Sequence, residues 1–142
     1  MIFCAKLAKR ETVCKIPSAM TAFHLRGKRI MKLTNFQSYI VGNPPPGFGG
    51  RYFIFITLTT SCGITGTGEI YAASFAPEII TAMASDVFQR YLEGQNPFQT
   101  ERFTRRAHGS GFSHRPDPSL QGVVSGLEMA CWDIIGKALD RP

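Results

Sequence analysis

Apolar and polar positions alternate through the first part of the region after Met31, and the period then becomes helical. Lys32–Val41 predicts a first strand, ended by Gly42-Asn43-Pro44-Pro45-Pro46-Gly47-Phe48-Gly49-Gly50. Neither a helix nor a sheet ladder continues through such a run, because Pro lacks the amide donor and Gly has no side chain to pack. Tyr52–Thr60 predicts a second strand, with Ile54, Ile56 and Leu58 on one face and Phe53, Phe55 and Thr57 on the other. Apolar residues on both faces predict a strand covered on both sides. Ser61-Cys62-Gly63 supplies a turn and Thr65–Tyr71 a third strand, so the three form an antiparallel meander.

Beyond Tyr71, Ala76–Leu92 predicts a helix with Ile80, Met83, Val87 and Tyr91 on one stripe, Pro77 in its first turn and Gly94 past its end. Phe98–Ala107 predicts a shorter helix carrying Arg102, Arg105 and Arg106 beside Glu101. A glycine-containing loop, His108–Arg115, follows. Asp117 is placed to cap a third helix that runs to about Leu139, with Leu120, Val123, Val124, Leu127, Cys131, Ile134 and Ile135 on a broad apolar face. Gly122, Gly126 and Ala130 recur every four residues on it. Each interior glycine costs about 1 kcal/mol of helix propensity, which a close backbone contact would offset. Asp133 and Lys137 form an i,i+4 pair of the favourable orientation. The fold class is therefore α+β, a three-stranded antiparallel meander followed by about three helices.

Composition sharpens the boundaries. The 142 residues are 44% hydrophobic and carry a formal charge of +6, which in a whole-chain view suggests nucleic acid or an anionic surface. By segment the view changes: residues 1–30 hold seven Lys and Arg against one acid, and residues 31–142 hold nine of each. The first 30 residues show no period of 3.6 or 2 and no apolar core for secretion. They read as a basic, poorly ordered extension or a misplaced start, although a transit peptide is compatible with their charge. The four cysteines have neither disulfide-framework nor C-x-x-C spacing, which fits a reduced, cytoplasmic compartment. No apolar run approaches the ~20 residues of a membrane span.

Two blocks carry a resemblance: Gly63-Ile64-Thr65-Gly66-Thr67-Gly68-Glu69 at the third strand, and Ser125-Gly126-Leu127-Glu128-Met129-Ala130-Cys131-Trp132-Asp133-Ile134-Ile135-Gly136-Lys137-Ala138-Leu139 near the end. The second is the more specific. With them, the chain from Met31 resembles the amino-terminal capping domain of the enolase superfamily, in its mandelate racemase and muconate lactonising enzyme branch, among the sugar-acid dehydratase-like members. The resemblance implies that residues 31–142 are a cap ending where a catalytic (β/α)-barrel would begin. It also implies a Mg2+-dependent enzyme that removes the proton alpha to a carboxylate, with the metal ligands and bases on that barrel. The fragment itself would then hold no cofactor and be inactive alone, its partner would be the barrel, and its exposed apolar surface would favour self-association.

The resemblance further implies that cap loops close over the barrel mouth and touch substrate. The corresponding segments are Asn43–Arg51 and Tyr71–Phe75, with Asn43, Phe48, Arg51, Tyr71 and His114 as substrate-contact candidates. Gly47, Gly49 and Gly50 could turn successive N–H groups toward an anion, and Arg51 offers a fork suited to a carboxylate. An ordinary strand connection with Arg51 in solvent is the competing reading. His108 and His114 lack zinc spacing, the arginine cluster reads as a solvated helix face, and Gly66-x-Gly68 lacks the third glycine of a dinucleotide fingerprint and reads as a turn. Two alternatives remain: a racemase or cycloisomerase cap, and a small basic nucleic-acid-binding protein using residues 1–30.

Overall fold

A computed structural model describes residues 31–72, 76–109 and 117–141. The basic segment 1–30 lies outside the described residues. Three strands, β1 (Leu33–Gly42), β2 (Tyr52–Thr60) and β3 (Thr65–Ile70), precede three helices, α1 (Pro77–Tyr91), α2 (Thr100–Gly109) and α3 (Pro118–Leu139). The sheet is an antiparallel meander in the order β1-β2-β3, with Ile40 opposite Ile54 and Ile54 opposite Ile70. Gly63, at φ 86°, makes the β2–β3 turn possible. The buried Thr60 closes that turn, its Oγ1 donating to Ile64 O and accepting from Ile64 N–H, both at 3.0 Å.

The helices cover one face of the sheet. Leu33, Ile54, Ile56, Leu58 and Ile70 meet Ile80, Val87, Phe88, Val123, Leu127 and Ile134 in a single core. On α1 the buried stripe is Ile80, Ala84, Val87 and Phe88, while Met83 and Tyr91 only lean against it. The stripe is rotated from the expected one because Phe88 stacks on Phe36 of β1, ring centroids 5.5 Å apart. Asp117 caps α3, its Oδ1 accepting from Ser119 N–H at 2.9 Å and Leu120 N–H at 3.3 Å.

Two expectations are corrected. Only one face of β2 is buried: Phe53, Phe55, Thr57 and Thr59 are half-buried on the side away from the helices. Gly66 and Gly68 lie inside β3 rather than in a turn, and a Cβ on either would strike the backbone of α3, at Ala130 O and Gly126 O respectively. Alpha3 thus lies on β3 backbone to backbone, small residues meeting from both sides: Gly66 and Gly68 below, Gly122, Gly126 and Ala130 above.

The same two elements are stitched by polar groups. Asp133 Oδ2 accepts from Thr67 N–H and from Lys137 Nζ, each at 2.8 Å, and Lys137 Nζ donates to Thr65 O at 2.8 Å. Burial pushes the Asp133 carboxyl up, but the Lys137 ammonium and the Thr67 N–H together bring it below the ordinary carboxylate range. Burial, with Glu128 nearby, pushes the Cys131 thiol up to about 12, so it is an inert core residue at neutral pH.

Candidate functional site

The β1–β2 connection is a built loop. Asn43 N–H donates to Arg51 O at 2.9 Å and closes the hairpin. The Asn43 side chain then reaches across the loop, its Nδ2 donating to Phe48 O at 2.8 Å and Gly50 O at 2.7 Å. Gly47 N–H donates to Pro44 O and Gly50 N–H to Gly47 O. Gly47, Gly49 and Gly50 have φ of 69°, 86° and 139°, conformations that glycine adopts most readily. Their N–H groups do not form a row for an anion, because two of the three are spent inside the loop.

This loop and the end of β3 enclose an open groove of ≈ 240 Å³. Gly49, Gly50 and Arg51 line one side, Glu69, Ile70 and Tyr71 the other, and Phe53 lies between. Arg51 and Tyr71 therefore line the same groove. Phe48 and Tyr71 are each 84% exposed, two large apolar surfaces at the same end of the sheet. Asn43 organises the loop with both hydrogens of its amide. His114 lies outside the described residues, as does the 73–75 part of the second loop.

Sequence reasoning did not single out Glu69 as a substrate-contact residue. The signal was present: alternation along β3 carries Glu69 and Tyr71 to one side of the strand, and the register places Glu69 beside Phe55. The groove thus holds one cation, one anion and a phenol, and among the described residues Arg51 and Glu69 form no ion pair with each other. Such a rim can grip a carboxylate through Arg51 and hydroxyl groups through Glu69 and Tyr71.

The other candidates are structural in this fold. His108 Nε2 lies 3.0 Å from Gln121 Oε1 and ties α2 to α3. Arg105 pairs with Glu101, Arg102 reaches Gln99, and Arg106 lies over the Tyr91 ring at 5.9 Å. Among the described residues no three His, Cys, Asp or Glu side chains converge on a point that could hold a metal ion. They supply no donor set for Mg2+. No helix among them is long and apolar enough to cross a membrane.

The meander, the three helices and the rim at one end define an α+β domain built to present loops from its sheet. Residues 48–142 match the family model for the mandelate racemase / muconate lactonizing enzyme, N-terminal domain. The chain belongs to that family. It is similar to a D-galactonate dehydratase of Ralstonia pickettii (strain 12J), 30% identical over 112 residues that make up 79% of this chain and 26% of the relative. Among solved structures it resembles the mandelate racemase/muconate lactonizing enzyme of Jannaschia sp. CCS1, at TM-score 0.72 and 52% identity over 76% of this chain and 28% of that one. The corresponding enzyme of Sulfitobacter sp gives TM-score 0.72 and 50% identity over 77% and 28%. The chain spans about a quarter of the length of these relatives.

Proposed function

We infer that residues 31–142 form the lid of a cytoplasmic, Mg2+-dependent sugar-acid dehydratase that acts by removing the proton alpha to a carboxylate. The observation that carries this reading is the groove that Arg51, Glu69 and Tyr71 share at the loop end of the sheet. The 30% likeness to a D-galactonate dehydratase supports a polyhydroxy acid as substrate. When bound, the metal would stabilise the negative charge that develops on the substrate carboxylate. Its ligands and the general base would come from a barrel beyond these residues, since the described acids do not converge. The half-exposed Met129 and Trp132 on α3 offer an apolar seat for that barrel.

In this reading the domain supplies no base and is inactive alone. Arg51 orients the substrate carboxylate, Glu69 and Tyr71 accept from or donate to hydroxyls, and Phe48 excludes water from the closed site. The test is a chimera that replaces the matching N-terminal region of the D-galactonate dehydratase with residues 31–142, assayed for D-galactonate dehydration with Mg2+. Arg51→Ala in the chimera should lower kcat/KM tenfold or more, with little change in folding. An unchanged kcat/KM would remove Arg51 from the lid.

A further inference from the structure

One residue holds Arg51 from both sides. A peptide unit is planar, so a bond to its carbonyl oxygen orients the whole unit. The unit that precedes the Arg51 Cα carries Gly50 O, which accepts from Asn43 Nδ2 at 2.7 Å. The unit that follows it carries Arg51 O, which accepts from Asn43 N–H at 2.9 Å. With both planes anchored to Asn43, the two backbone angles of Arg51 are set, and with them the direction in which its side chain leaves the chain.

The other loop bonds do not reach Arg51. Gly47 N–H to Pro44 O at 3.0 Å and Gly50 N–H to Gly47 O at 3.2 Å join the loop to itself. The glycines at 47, 49 and 50 leave the segment before Arg51 wide conformational freedom. The second hydrogen on Asn43 Nδ2 restrains that segment at its start, through Phe48 O at 2.8 Å. Between the two anchors the loop lies back on the groove wall: a Cβ on Gly49 would meet the ring of Phe53 at 3.6 Å. Serving both carbonyls takes two hydrogens on one short arm. Ser has a single hydroxyl hydrogen, Gln carries its amide on a longer arm, and Asp, with the shape of Asn, sets a carboxylate against two carbonyl oxygens.

We propose that Asn43 is a positioning residue, which acts through Arg51 and holds its guanidinium on the side of the groove opposite Glu69 and Tyr71, where it meets the carboxylate of a polyhydroxy acid. This role rests on the lid reading, because Arg51 must touch substrate for its placement to matter. Its signature is loss without additivity. Two residues that act as one unit are lost once, whereas independent residues lose activity in multiples.

In the full chain, backbone NMR relaxation should show Gly49, Gly50 and Arg51 as ordered as β2, and mobile in Asn43→Asp with far-UV circular dichroism unchanged. A loop already mobile in the wild type, or still ordered in the variant, would overturn the proposal. In the chimera with the D-galactonate dehydratase, Asn43→Asp should lower kcat/KM by about tenfold or more, as Arg51→Ala does, since a displacement of ~1 Å at an orienting group is costly. The double variant should stay within about twofold of Arg51→Ala alone. Losses that multiply, or full kcat/KM in Asn43→Asp beside a loss in Arg51→Ala, would overturn the role of Asn43 and leave the lid reading standing. Unchanged kcat/KM in Arg51→Ala would instead remove Arg51 from the lid and the role of Asn43 with it. Should Asn43→Asp fail to fold, Asn43→Ala removes the same two hydrogens without adding charge, and the same comparisons decide.

Discussion

Replacing Gly126 by Ala sets two effects of known sign against each other. In an isolated helix the change gains about 1 kcal/mol. In this fold the new Cβ would lie 2.6 Å from Ile70 Cγ1 and 2.8 Å from Glu69 O. The Ile70 side chain is buried and the Glu69 oxygen is main chain, so neither yields easily. Reaching ordinary contact requires α3 to rise from β3 by about 0.6 Å, and a gap of that order forfeits about a quarter of the attraction between facing atoms. The loss extends along an interface that includes the fully buried Leu127, Ala130 and Ile134. Overpacking between rigid elements costs about 1–3 kcal/mol or more, so Gly126→Ala should destabilise by about 2 kcal/mol net, roughly 8–15 °C in Tm. Gly109, at the end of α2, is the control: a Cβ there meets nothing within 4 Å, and Ala should stabilise. Urea unfolding followed by circular dichroism and Trp132 fluorescence measures both. If the two variants shift stability in the same direction, the backbone contact between α3 and β3 is not what requires glycine at position 126.

Asp133→Ala removes the acceptor of Thr67 N–H and the partner of Lys137, and should cost about 1 kcal/mol near neutral pH. Because the folded carboxyl lies below its ordinary value, its contribution is present above about pH 4 and lost as pH falls through the folded value. The wild-type advantage over Asp133→Ala in urea should therefore shrink on acidification, and a constant gap would contradict the assignment. With the Cys131 thiol pushed up to about 12, the folded chain holds that proton more tightly than the unfolded one. Its contribution is intact below the unfolded value, about 8.5, and declines as pH rises toward 12, a decline that Cys131→Ala should lack. Asn43→Ala deletes two loop hydrogen bonds and should speed tryptic cleavage after Arg51 without changing the helix signal; an unchanged rate would show that the loop does not rely on Asn43.

The elements were legible in the sequence because each is amphipathic at its own period. Alternation located β2 and β3, and the broad apolar face of α3 is buried much as its spacing requires. What pattern could not show is what lies opposite. Gly66 and Gly68 carry no hydrophobic signal, so a local reading makes them turn residues, whereas the approach of α3, some 60 residues later in the chain, makes them strand residues. Phe53 and Phe55 read as buried because they are apolar, yet no described element covers their face.

The rim was less legible for a related reason. A residue facing a ligand is wet on its outer side and often polar, so periodicity scores it as surface. Arg51, Tyr71 and Asn43 were singled out through the resemblance, although the amide hydrogens of Asn43 are committed to the loop. Glu69, which lines the same groove, was not singled out because an acid in an alternating strand looks like any solvent-facing position. The distinction between a solvated charge and a rim charge depends on which other charges share its neighbourhood. Here a hairpin register and a loop conformation set by Asn43 bring Arg51 and Glu69 to one groove while 17 residues of sequence separate them. A double exchange of the pair, Arg51→Glu with Glu69→Arg, would preserve composition and sheet propensity while reversing the position of each charge. Lid function in the chimera should then fail even though the domain folds, and retained kcat/KM would mean that only the net charge of the groove matters.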